Sequence, residues 1–321
     1  MSHQTLMLAA HASAAVPDMQ LVRTTSYNLP GVDSALGWDD TGEAWLIELP
    51  QTDDAESRQR DRVGAARAMG DGLRSRLPFD APRVAGTTIV QGRTLSVSRF
   101  LPGDRVRLEK TTPDVAQAIG EAIATLHQVP ASALYDQGRP VLSSNESMRK
   151  ATSIVDRAAQ TTLLPKALLR RWEAAYEDHD LWQFEPTIVH GALHLGAFLL
   201  DQGQVTAVTG WRELCVGDPA RDLSWFTTPQ LTEKMESGRT KYLDTRSEAD
   251  RRIFQRARLW AELDIARWLL HGIDNRNEKI VDEATGLINE LHERISNNLD
   301  TALTETITDA PHPLSGTDDQ H

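Results

Sequence analysis

The 321-residue chain is 40% hydrophobic and 25% charged, with a formal net charge of −12. No apolar run approaches the roughly 20 residues that cross a bilayer, so no membrane partner is expected, and the acidic balance counts against nucleic acid as a partner. A single cysteine, Cys215, excludes an internal disulfide framework and a thiolate metal cage, and a cytoplasmic location is expected. The opening MSHQTLMLAAHASAAVP lacks the basic start of a signal peptide and reads as a helix over 5–15. Residues 19–28 have strand character, Pro30-Gly31 and Asp39 to Gly42 are turn chemistry, and AWLIEL (44–49) is a compact strand ending at Pro50. Residues 54–76, rich in Ala, Arg, Asp and Glu, predict a helix with a solvated arginine face. Two strands, Val84–Val90 and Thr94–Phe100, flank a Gln91-Gly92 hairpin turn.

A lobe boundary is expected at Leu101-Pro102-Gly103. Beyond it Thr112 is an N-cap with Pro113 in the first helical position, and Val115, Ile119, Ile123 and Leu126 follow helical spacing until Pro130. Helices are predicted at 145–160 and 165–178, short strands at Thr187–Val189, Phe198–Leu200 and Val205–Val208, and long helices at 246–271 and 276–297. Ile253, Ala257, Trp260, Leu263, Ile265, Trp268 and Leu269 trace the apolar face of the first long helix. No Lys or Arg follows Arg294, and 299–321 reads as an acidic, disordered tail. The expected domains are a β-rich N-terminal lobe (1–101), a helical C-terminal lobe with a short hairpin (102–298) and the tail.

Three segments in order carry a resemblance: His190-Gly191-Ala192-Leu193-His194-Leu195-Gly196-Ala197, Val208-Thr209-Gly210-Trp211-Arg212-Glu213 and Gly217-Asp218-Pro219-Ala220-Arg221-Asp222-Leu223. The chain resembles a degenerate member of the aminoglycoside/macrolide phosphotransferase and choline kinase superfamily. That resemblance implies an α+β, bilobal protein-kinase-like fold and ATP-dependent transfer to a hydroxyl. It also implies that the catalytic acid position holds Ala192, the amide that helps hold magnesium is Ala197, the main magnesium carboxylate is Gly210, and the phosphate-pairing lysine is Glu48. The partner acid of that lysine is expected near Asp61. No lysine precedes Lys110, and Arg58, Arg60 or Arg62 is the candidate replacement cation.

His190 and His194, at i, i+4 spacing, read as structural loop residues rather than metal ligands. His127 is expected to pack or hydrogen-bond. Asp218 and Asp222 are expected to brace the loop and cap the next helix. Glu213 is the acid left nearest the lost metal site and the candidate for a residual functional role. Trp182, Trp211, Trp225, Trp260 and Trp268 are expected in the core or a pocket wall.

No catalytic residue is intact and no bound metal is expected. No cofactor is expected either, and the replacements count against ATP and magnesium binding. The leading reading is a pseudokinase that binds a small-molecule ligand or a protein partner. The first alternative is an active antibiotic or metabolite kinase with Glu213 and Asp218 as relocated acids. The second is a structural or assembly protein.

Overall fold

The computed structural model describes residues 3–248, 250–297 and 303. Five antiparallel strands form a sheet in the order β1-β2-β3-β5-β4. They are β1 (Leu21–Leu29), β2 (Val32–Asp39), β3 (Ala44–Pro50), β4 (Val84–Val90) and β5 (Arg93–Arg99). The sequence reading has no counterpart for β2, whose VDSALGWD carries Gly, Ser and two Asp between two turns. Tertiary pairing overrides that weak propensity, because β2 is hydrogen-bonded on one side to β1 and on the other to β3.

Helix α1 (His3–Ala15) closes one face of the sheet. Its Leu8 and Ala12 meet Met19, Ala35, Ile47, Leu95 and Val97 in a small core. The helix expected over 54–76 is two helices, α2 (Asp53–Ala68) and α3 (Asp71–Arg74), parted at Gly70. Arg74 secures the break: its guanidinium donates to the carbonyls of Ala66, Met69, Ala81 and Pro82. The last carbonyls of a helix have no intrahelical donor, so this arginine completes the end of α2 rather than forming part of a solvated face.

After β5 a two-residue strand, β6 (Asp104–Arg105), leads to α4 (Pro113–Gln128). Thr112 caps α4 as expected, accepting from the Val115 amide. Helices α5 (Ser144–Ala159) and α6 (Lys166–Glu177) follow, the first with a Ser143–Glu146 capping box. Strand β7 (Thr187–Val189) pairs with β10 (Cys215–Gly217), while β8 (Phe198–Asp201) and β9 (Gln204–Val208) form a hairpin against β6. Helices α7 (Glu236–Thr245), α8 (Ile253–Asp274) and α9 (Glu278–Ser296) complete the described chain, apart from Leu303.

The larger core is centred on α4, α8 and the segment 219–227, but it also takes Ala65, Ala68, Met69, Leu73 and Phe79 from the first hundred residues. The end of α2 therefore belongs to the same packed interior as the helical part. Within 299–321 the described residue is Leu303, which is 2% exposed and packed on this core; the rest of the expected tail lies outside the described residues. Trp182, Trp211, Trp225 and Trp260 are buried, whereas Trp268 is 36% exposed and stacks on His271 at 5.3 Å. Trp268 is thus a correction to the expected apolar face of α8: it stands on the solvent side, one turn from a partner ring.

Helices α4 and α7 touch through glycine. A Cβ on Gly120 would collide with the Gly238 carbonyl, and one on Gly238 would press into that of Ala116. Backbone cannot yield as a flexible side chain does, so Gly120→Ala is expected to lower stability by about 1–3 kcal/mol. Urea unfolding reads this directly, and an unchanged midpoint would show that the two helices separate without cost.

Candidate functional site

A cleft of about 560 Å³ lies between the five-stranded sheet and the β8–β9 hairpin. Strand alternation builds its upper wall. In β3, Ile47 enters the small core while Leu46 and Glu48 face the cleft, and Ser96 and Ser98 of β5 do the same. The floor is His194, Leu199, Thr209, Gly210 and Trp211.

Glu48 is 8% exposed. Such a carboxylate needs a partner, and Arg62 of α2 supplies it at 3.1 Å. Gln59, one turn earlier, donates to the Glu48 and Thr94 carbonyls and the Ser96 hydroxyl. The expected partner, Asp61, is exposed; helical periodicity turns Gln59 and Arg62 toward the sheet instead. Arg58 pairs with Asp54, and Arg60 stays 74% exposed near Glu56. Of the three candidate arginines, Arg62 alone lines the cleft. The pair is inverted relative to the resemblance: the acid stands on the strand and the cation on the helix.

The segment 190–197 is a loop followed by one short 3-10 turn at Leu195–Ala197, so His190 and His194 are not on one helix face. His190 is fully buried. Its Nε2 hydrogen-bonds the Thr209 carbonyl at 2.9 Å, its Nδ1 accepts from the Ala192 amide, and its ring lies 4.5 Å from Trp211. Burial pushes the His190 and His127 pKa values down, and both rings are neutral. Burial, with Arg105 and Arg212 nearby, pushes His194 the same way.

Asp222 accepts from the His190 and Gly191 amides, each at 2.7 Å, and from His127 Nε2 at 3.2 Å. His127 Nδ1 in turn accepts from the Tyr242 hydroxyl, which accepts from Arg246. Burial raises the Asp222 pKa, but the hydrogen bonds from His127 and the Gly191 amide oppose it, and the carboxyl is held below its ordinary value. Asp218 caps the turn at 219–227 through the Ala220 amide and receives Arg256 and Trp260. Arg256, also fully buried, reaches Asp250 and the Leu181 carbonyl.

Ala192 and Ala197 carry methyl groups, and Gly210 has φ +91°. A Cβ at Gly210 would lie 3.7 Å from the His190 ring. Room for a side chain exists there, but in a backbone conformation L residues rarely adopt. Glu213 is not among the cleft residues. It pairs with Arg221 at 2.8 Å, Arg267 at 3.4 Å and Arg212 at 3.8 Å. Burial raises its pKa, yet Arg221 and Arg267 outweigh that and hold it ionised.

Sequence reasoning missed Arg105, Arg107 and Lys110, which line the cleft mouth. Their signal is the run DRVRLEK directly after the expected hinge.

The model of the phosphotransferase enzyme family (APH) matches residues 39–269. The chain belongs to that family. A curated relative, "Uncharacterized protein YcbJ" of Bacillus subtilis, is 27% identical over 206 residues, which are 59% of this chain and 64% of that protein. The match thus spans just under two thirds of the relative's length. Among solved structures, the macrolide 2'-phosphotransferase MphH from Brachybacterium faecium superposes with a TM-score of 0.70 at 22% identity, over 88% of this chain and 98% of that one. A GDP and kanamycin complex of APH(2")-IIia superposes with a TM-score of 0.70 at 16% identity, over 91% and 99% of the two chains. These likenesses give the fold of this phosphotransferase-family member: α+β and kinase-like. Among its described residues no helix is long and apolar enough to cross a membrane.

Proposed function

We propose that this phosphotransferase-family protein is a pseudokinase: it binds a ligand in the cleft between the sheet and the helical part and does not transfer a phosphoryl group. The observation that carries the reading is the donor set of the cleft. Its carboxylates are Glu48, engaged by Arg62, and Asp104 on the short strand β6. Magnesium prefers a near-octahedral shell of oxygen ligands, and no three His, Cys, Asp or Glu side chains converge as a metal site among the described residues. The residues present do not fit that ion.

Phosphoryl transfer depends on positioning and on stabilising the charge of the transferred group. A methyl group at Ala192 can neither accept nor orient a hydroxyl proton. Loss of a positioned base alone costs roughly 10²–10⁴-fold in rate. The altered metal positions act on the same step, and such losses do not simply sum.

Glu213 does not rescue the reaction as a relocated acid, because three guanidinium groups occupy it outside the cleft. Asp218 is likewise committed to Arg256 and Trp260.

The test is ATP turnover with magnesium across a panel of hydroxylated antibiotics and metabolites, run beside calorimetric titration of ATP with and without the ion. The expected result is product at the buffer level, no gain in affinity from magnesium, and the same baseline for Glu213→Ala. Magnesium-dependent turnover that Glu213→Ala abolishes would replace this reading with that of an active kinase.

A further inference from the structure

One carboxylate beside the 190–197 loop has more positive charge around it than it can neutralise. Glu213 pairs with Arg221, Arg267 and Arg212, and Lys150 of α5 stands near Arg221, Arg267 and the same acid. The other acid of the group is Asp264, one turn before Arg267 on α8 and paired with it at 2.9 Å. Four cations thus meet two carboxylates. None of the six residues lines the cleft.

The four cations are not equally engaged. Arg221 is 9% exposed and donates to Glu213 and to the Gly191 carbonyl, so it belongs to the framework of the loop. Arg267 gives one nitrogen to Asp264 and only long contacts of 3.4 Å to Glu213. Arg212 reaches Glu213 at 3.8 Å, beyond hydrogen-bonding distance, and its side chain makes no hydrogen bond among the described residues. Lys150 reaches solvent and has neither a hydrogen bond nor an ion pair among the described residues. It is nonetheless enclosed enough that burial, followed by the charge of Arg221, holds its pKa below the ordinary lysine value of 10.5. An ion-pair network that served stability alone would not hold an unpaired ammonium beside two guanidinium groups, because like charges oppose one another unless an anion stands between them.

We infer that Lys150, Arg212 and Arg267 form an anion-binding site outside the cleft, which takes the carboxylate or phosphate group of a small molecule. The shared chemistry is an oxyanion that accepts charge-assisted hydrogen bonds. The guanidinium groups offer paired N–H donors and the ammonium a compact charge. The chain as a whole carries −12, so the excess of cations is local and its attraction is short-ranged. The site goes beyond the pseudokinase reading and does not depend on it, since none of its residues occupies a position altered for phosphoryl transfer.

The probes are inorganic phosphate and succinate, titrated calorimetrically into the full chain at low salt. At least one of them is expected to bind. Phosphate tighter than succinate identifies a phosphoryl ligand and the reverse order a carboxylate ligand; either order supports the site. The bound anion should also slow acylation of Lys150 by acetic anhydride, read by peptide mass spectrometry, and leave the exposed Lys279 of α9 unprotected.

The double variant Lys150→Gln with Arg212→Gln should weaken the anion about tenfold or more. Its urea midpoint should not change, because neither side chain is hydrogen-bonded. The same loss of charge at the cleft mouth, Arg107→Gln with Lys110→Gln, should leave binding within about twofold. Glu213→Gln removes the internal competitor, keeps an acceptor oxygen for Arg221 and should tighten the anion. The inference is overturned if neither anion binds at low salt, if binding leaves Lys150 acylation unchanged, if the two double variants behave alike, or if Glu213→Gln weakens binding.

Discussion

Asp222→Ala is expected to destabilise the protein by at least about 3 kcal/mol, the cost of leaving three buried donors without an acceptor. Three donors lose their acceptor at once: the His190 amide, the Gly191 amide and His127 Nε2. Each unsatisfied buried group costs about 1–3 kcal/mol, and none of these can reach water without moving the loop, since Asp222 and His127 are both fully buried. Against a typical total stability of about 5–15 kcal/mol, the loss takes a large share. Urea unfolding should give a lower midpoint at unchanged slope. Asp222→Asn keeps one acceptor oxygen and should cost less. A loss below about 1 kcal/mol for the alanine variant would mean that the loop is braced by something other than this carboxylate. The brace persists around Ala192 although no acid remains there to position. That is the expected outcome when the aspartate serves the packing of the loop as well as its geometry.

Acidification is the second large effect. Burial is the leading cause holding His127 and His190 below the ordinary histidine value of 6.5. The groups facing them pull in both directions. Asp222 favours the charged form of each, Arg246 opposes it at His127, and at His190 the nearby His194 opposes it while Glu213 supports it. The net direction for both rings is down. Below pH 6.5 the unfolded chain therefore binds protons that the folded chain excludes. The stability is fully present above 6.5 and is lost as pH falls toward the folded values. The steepest possible slope is about 1.4 kcal/mol per pH unit for each histidine, or about twice that for the two together. Asp222, also held below its ordinary value of 3.8, adds stability present above 3.8 that disappears only at still lower pH. Unfolding midpoints measured from pH 7.5 down to about 5 should fall progressively, and less steeply in His190→Gln. A flat profile over that range would mean that the two rings are not buried neutral.

Much of the architecture is readable without a structure because its signals are local. The Thr112-Pro113 start of α4, the alternation of AWLIEL and the helical spacing through α8 each depend on neighbours within four residues. Strand β2 escapes that kind of reading, since its stability comes from two partner strands rather than from VDSALGWD itself. The break at Gly70 escapes it as well, because the carbonyls it frees are satisfied by Arg74 together with a segment some ten residues on. Trp268 fits the apolar spacing of α8 yet points to solvent; periodicity defines a face but not its width.

The site divides along the same line. Which positions hold Ala192, Ala197, Gly210 and Glu48 is a property of the chain alone, and so is the absence of any lysine before Lys110. Folding decides what those positions face: Glu48 meets Arg62 across fourteen residues, Asp222 holds a loop some thirty residues away, and Glu213 is drawn out of the cleft by Arg221 and Arg267. Charge interactions fall off with distance and grow as water is excluded, so a carboxylate's role is set by the partners that packing brings within a few ångströms. Those distances exist only once the chain has closed on itself.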